Sequence, residues 1–136
     1  MILVDTSAWV EYDRATGSSV DRRLAELITD SDRVAVTEPV IMEVIAGARS
    51  RQRASELRRL LRRCALLRFD AAVDFDAASH IYLACRSVGV TPRGMIDCMI
   101  ASVAHRHRAT LLALDADLAR VASVVGIEMD PASRLA

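Results

Sequence analysis

The chain has 136 residues, 52% of them hydrophobic, which is enough apolar material for the core of one domain without disulfide or metal staples. Its 18 basic and 18 acidic residues cancel, which excludes a globally basic nucleic-acid binder but leaves local patches open. All the basic residues are Arg, and without Lys a P-loop nucleotide site is excluded.

Ile2-Leu3-Val4 predicts a short buried strand. Thr6 and Ser7 are good caps for a helical segment Ala8–Asp13. A turn around Gly17 precedes a helix near Val20–Ile28, with Leu24, Leu27 and Ile28 on its inner face. Arg33–Val36 predicts a second strand. Pro39 suits the first turn of a helix that ends near Gly47. Residues 50–64 read as an amphipathic helix with Leu57, Leu60 and Leu61 inward, and Leu66–Phe69 as a third strand. A helix over 71–88 carries Val73, Ala77, Ile81 and Cys85. Thr91-Pro92 opens another that runs to about His107. Leu111–Leu114 predicts a fourth strand, Asp115–Val124 a last helix, and Ile127–Met129 a short fifth strand. Alternating strands and helices predict an α/β fold, and strands that are continuous apolar runs predict a parallel sheet covered on both faces. No linker or repeat divides the chain, so residues 1–136 are expected to form a single domain.

Cys64, Cys85 and Cys98 are odd in number and have no metal-ligand spacing. They are expected to be buried small hydrophobes in a reducing cytoplasm. The start of the chain lacks the pattern of a secretory leader, and no apolar run approaches the roughly 18 residues of a membrane span.

Open parallel sheets bind ligands at the carboxyl ends of their strands. Asp5 directly follows the first strand and Asp115 the fourth, so adjacent strands would bring both acids to one crevice. Taken singly, each also suits a helix cap. Asp97 lies in Met95-Ile96-Asp97-Cys98-Met99-Ile100, where the sequence is apolar nearly all round. An ionised carboxylate in a buried helix costs several kcal/mol unless compensated, more than the roughly 0.3–1 kcal/mol from the helix dipole. A cation or an Arg partner is therefore implied. Glu43 sits at the edge of an apolar stripe, and Glu38 suits a helix start. Acids that converge repel one another and require a cation. All-oxygen ligands favour Mg2+, with Mn2+ as the alternative, and suit phosphodiester hydrolysis.

These residues fall in four segments. They are Ile2-Leu3-Val4-Asp5-Thr6-Ser7-Ala8-Trp9, Glu38-Pro39-Val40-Ile41-Met42-Glu43-Val44-Ile45-Ala46-Gly47, Ile96-Asp97-Cys98-Met99-Ile100-Ala101 and Leu111-Leu112-Ala113-Leu114-Asp115-Ala116-Asp117-Leu118. In this order they resemble the PIN-domain ribonucleases, specifically the VapC toxins of type II toxin–antitoxin pairs, over nearly the whole chain. The resemblance implies a three-layer α/β/α sandwich with a mostly parallel sheet of four to five short strands. It implies catalytic acids at Asp5, Glu43 and Asp97, with Asp115 and Asp117 both fitting the fourth position. Asp5 and Asp97 are implied as metal ligands. A hydroxyl beside the first acid, Thr6 or Ser7, often supports such a site. Ala113 stands where a Thr or Ser is often seen, and Leu118 where an aromatic is common. The implied partners are an RNA substrate (tRNA or rRNA), a small VapB-like antitoxin and a second copy of the chain, with no membrane.

Between Arg49 and Arg63 seven Arg face one Glu, a basic stretch that suits an RNA backbone, an antitoxin or a solvated helix face equally. Arg93 is a candidate phosphate contact. Trp9 is expected in the core or an interface. Two other functions compete. A phosphatase with Asp5 as nucleophile would usually add a second Asp two residues on and a Lys; here position 7 is Ser and Lys is absent. A silent binding module would have no need to hold repelling carboxylates together.

Overall fold

A computed structural model of the chain describes residues 1–133, apart from the side chain of residue 31. The elements are β1 (Ile2–Val4), α1 (Thr6–Asp13), α2 (Ser19–Thr29), β2 (Val34–Val36), α3 (Glu38–Ala46), α4 (Arg51–Arg62), β3 (Ala65–Leu66), α5 (Asp74–Ser87), α6 (Met95–His107), β4 (Thr110–Leu112) and α7 (Ala116–Val125). Single 3-10 turns lie at Ser31–Arg33 and Pro131–Ser133. The four strands form one parallel sheet in the order β3-β2-β1-β4. Helices α1–α4 pack among themselves and α5–α7 do the same, giving the α/β/α layering. Every residue of β1 and β2 is buried, as a sheet covered on both faces requires.

One apolar cluster runs through the sheet and both helical layers. Leu3, Val4, Val34, Val36, Leu111 and Leu112 supply its centre. Trp9 is fully buried in this core and meets Tyr12 edge to face at 6.2 Å. Leu24 and Leu27 of α2 and Leu57 and Leu61 of α4 point inward, with Ile28 and Leu60 half-buried. Cys85 and Cys98 are buried and Cys64 half-buried, all three as free thiols. Arg51, Arg58, Arg59 and Arg62 lie exposed on α4 and Arg63 just past its end, while Arg53 turns to Asp13 and Glu56. No helix is long and apolar enough to cross a membrane among the described residues.

Several boundaries differ from the sequence-based expectation, some of them because a side chain takes a backbone amide. Glu38 Oε1 accepts from Phe69 N–H at 2.7 Å, so the third strand stops at Leu66 and does not reach Phe69. Strand β4 stops at Leu112, because the Ala113 and Leu114 amides donate to Ser133 Oγ and Ser7 Oγ. The expected fifth strand is a single parallel bridge, Leu111 to Met129. Helix α6 begins at Met95 behind an extended Gly94, not at Thr91-Pro92, so Asp97 sits in its first turn. The N-cap of α1 is Asp5 itself, and Thr6 and Ser7 lie inside the helix. Helix α5 starts at Asp74. This leaves Val73 exposed and buries Asp74 completely.

Candidate active site

Strand β1 lies between β2 and β4, so the chain leaves it in one direction for β2 and β3 and in the other for β4. That reversal opens a crevice at the carboxyl ends of β1 and β4. Ile2, Leu3 and Val4 pair with Thr110, Leu111 and Leu112, which brings Asp5 and the loop carrying Asp115 side by side. Asp5 N–H donates to Leu112 O at 2.9 Å and locks the two strand ends together.

Each acid is aimed by neighbours that occupy one of its oxygens. Asp5, 3% exposed, accepts from Ser7 N–H at 3.0 Å and Ser7 Oγ–H at 2.6 Å, both at Oδ2. Ser7 Oγ in turn accepts from Leu114 N–H at 2.9 Å, so one hydroxyl couples the first acid to the fourth acid's loop. Glu43, on α3, accepts from Thr6 Oγ1 at 2.7 Å through Oε1. Asp115 caps α7, taking Asp117 N–H at 2.9 Å and Leu118 N–H at 3.3 Å on Oδ1. Asp117, also 3% exposed, accepts from Arg93 N–H at 2.9 Å on Oδ2. Both hydroxyls beside the first acid therefore support the site, Ser7 through Asp5 and Thr6 through Glu43.

The electrostatics place Asp5, Asp97, Asp115 and Asp117 in one field. Burial pushes the Asp97 carboxyl up to about 7, helped by the negative charges of Asp115, Asp5 and Asp117. Burial also raises Asp5; the Ser7 hydrogen bonds oppose it, and Asp115 and Glu43 add to it. Asp97 has no ion pair among the described residues. Arg93 instead reaches Asp115 Oδ1 at 3.2 Å.

This arrangement fits a divalent cation. Among the described residues the hydrogen-bond donors leave Asp5 Oδ1, Glu43 Oε2 and Asp115 Oδ2 free, and the field that raises proton affinity attracts any other positive charge. Among the described residues no group of three or more His, Cys, Asp or Glu is drawn tightly enough to hold an ion by itself. A hard, hydrated ion does not need such a cage, since it takes one or two carboxylates and keeps several waters.

Sequence reasoning missed Ser133 and Asp74, and it named Arg93 without its acidic partners. Ser133 accepts from Ala113 N–H at 3.0 Å, so its hydroxyl serves the loop end where position 113 itself lacks one. Arg93 lies over the acids. Asp74 joins α5 to α6 through Ser102 and Arg106. The partners are 20 or more residues apart in each case, and no local pattern announces them.

Comparison with known proteins establishes the family. The PIN domain family profile matches residues 2–124. Ribonuclease VapC11 of Mycobacterium tuberculosis is 42% identical over 129 residues, 94% of this chain and 96% of that protein. A VapC ribonuclease of Mycobacterium bovis matches to the same extent. Among solved structures, VapBC2 from Rickettsia felis bound to a promoter DNA fragment aligns with a TM-score of 0.73 at 21% identity, covering 96% of this chain and 98% of that one. FitAcB from Neisseria gonorrhoeae aligns at 0.72 and 20% identity, covering 99% and 100%. At these identities the structural matches establish the fold, while the sequence relatives establish the family. This chain belongs to the PIN-domain family, among its VapC ribonucleases.

Proposed function

We propose that this chain is a VapC-type endoribonuclease, working as one domain, whose reaction runs at Asp5, Glu43, Asp97, Asp115 and Asp117. The observation that carries the reading is the convergence of buried, mutually repelling acids at the β1–β4 crevice of a chain 42% identical to VapC ribonucleases. Ribonucleases of this family are generally dependent on a divalent metal; the all-oxygen donor set favours Mg2+, with Mn2+ as a substitute. Asp5 and Asp97 are the proposed ligands, with Glu43 and the Asp115–Asp117 loop completing the negative ring. When bound, the ion lowers the pKa of a water and offsets charge on the reacting phosphate. Ser7 holds the Asp5 carboxylate in one rotamer and Thr6 does the same for Glu43, so the acids need no reorganisation when substrate arrives. Water adds to phosphorus, the P–O3′ bond breaks, and the leaving oxygen takes up a proton to become a free 3′ hydroxyl.

The substrate proposed is a structured RNA loop, of tRNA or rRNA. The proposed protein partners are a small antitoxin of the VapB kind and a second copy of the chain. The three free thiols suit a reducing cytoplasm as the place of action.

The test is cleavage of total cellular RNA by the antitoxin-free protein with Mg2+ or Mn2+, with EDTA, and with Asp97→Asn. Discrete fragments are expected with metal, and intact RNA with EDTA and with the variant. Fragments that persist in EDTA, or equal cleavage by Asp97→Asn, would overturn this site.

A further inference from the structure

Arg93 lies on the stretch between α5 and α6, just before the helix that carries Asp97. Two parts of the residue touch the acids, and they do different things. Its backbone N–H donates to Asp117 Oδ2 at 2.9 Å, which already ties this stretch to α7. Its guanidinium reaches Asp115 Oδ1 through Nη2 at 3.2 Å and lies 3.8 Å from Asp117 Oδ2 through Nε. The side chain is nevertheless 76% exposed. An ion pair so open to solvent adds little to stability, so holding the fold together does not account for the side chain.

Its position accounts for it better. Arg93, Glu43, Gly94, Met95, Ile96 and Asp97 line an open cleft of about 400 Å³ beside the acids. Arg93 is the one basic residue of that lining. An RNA backbone entering the cleft meets a ring of carboxylates that repels it, and a fixed cation at the rim offsets part of that repulsion. The guanidinium has five N–H donors in a planar fork matched to phosphate oxygens. Nη2 and Nε face Asp115 and Asp117, while Nη1 has no carboxylate partner among the described residues. The two acids therefore aim the fork and leave one of its ends for a ligand.

We propose that Arg93 grips a backbone phosphate of the RNA at the mouth of the acid cleft, its guanidinium oriented by Asp115 and Asp117. The proposal rests on the ribonuclease reading and adds to it a catalytic residue that contacts substrate. It makes the anionic side chains serve twice, as the ring that draws positive charge inward and as the holder of a cation at the cleft's edge.

Binding, measured apart from cleavage, tests this. In an Asp97→Asn background, which leaves RNA uncut, a fluorescein-labelled RNA hairpin is titrated by anisotropy in EDTA at several salt concentrations. Adding Arg93→Ala is expected to weaken binding about tenfold and to reduce the salt slope by about one. Arg93→Lys is expected to restore the slope but only part of the affinity, because a point charge lacks the fork. Should Arg93→Ala melt early, Arg93→Gln carries the same comparison. Unchanged affinity and slope in the Arg93 variants, while the wild-type protein cleaves total RNA with Mg2+, would overturn the phosphate role alone. A wild-type protein that neither binds the hairpin nor cleaves RNA would remove the ribonuclease reading and this proposal with it.

Discussion

Asp97 sets the chemistry at the scale of single residues. Burial and three neighbouring acids lift its carboxyl from the ordinary 3.8 to about 7, and among the described residues no arginine pairs with it. In the metal-free protein the folded state therefore keeps this proton across a range in which the unfolded chain has released it. Stability linked to Asp97 is fully present below 3.8 and is lost progressively as pH rises towards about 7. Thermal melts in EDTA are expected to show wild type losing stability over that range more steeply than Asp97→Asn. Parallel pH curves for the two proteins would mean that the proton is held elsewhere. The unusual status of Asp97 was legible in the sequence, because an acid inside an apolar helix demands compensation. How Asp115 and Asp117 are held was not legible. They accept amides at the start of α7 and a contact from Arg93, and only folding supplies these.

Among the elements, the α5–α6 pair shows how the layer beneath the site is held. Asp74 is fully buried and accepts from Ser102 Oγ at 2.5 Å, Arg106 Nη2 at 2.7 Å and Asp70 N–H at 2.7 Å. Burial raises its carboxyl, but the hydrogen bonds from Arg106 and Ser102 outweigh that and leave it below the ordinary value. Arg106 also donates to Arg68 O at 2.6 Å, which ties α6 to the segment after β3. Arg106→Ala leaves the buried carboxylate without its countercharge. With allowance for a guanidinium one-third exposed, the expected loss is about 2–3 kcal/mol in urea unfolding. A loss under about 0.5 kcal/mol would show that Ser102 and the Asp70 amide suffice alone. Helix and strand positions were legible from periodicity and short apolar runs. Their ends were not, because β3, β4 and α6 stop or start where distant side chains capture an amide.

Across the whole molecule the formal net charge is zero, yet negative charge is concentrated at the carboxyl ends of β1 and β4 and arginines on α4. A divalent cation bound at the acid edge stabilises the folded state by mass action. At a concentration a hundred times its Kd it adds about 2.7 kcal/mol. Mn2+ is therefore expected to raise the melting temperature of wild type. An Asp5→Asn, Asp97→Asn double variant is expected to lose that shift while melting higher than wild type in EDTA, since two repelling charges are gone. An undiminished Mn2+ shift in the double variant, read by scanning fluorimetry, would place the ion at other residues.

The linear sequence determined the α/β class and the parallel sheet, because both follow from hydrophobic periodicity and short apolar runs. It marked Asp97 as an unfavourable charge in an apolar helix, while the other four acids were assigned to the site through the family resemblance. The tertiary structure alone decided the strand order that sets β1 beside β4. It alone decided the amides captured by Ser7, Ser133 and Glu38, the Asp74–Arg106 pair and the placement of Arg93 over the acids. Those contacts join groups tens of residues apart. Their partners are chosen by which polar groups burial would otherwise leave unsatisfied, and that is settled only once the layers have packed.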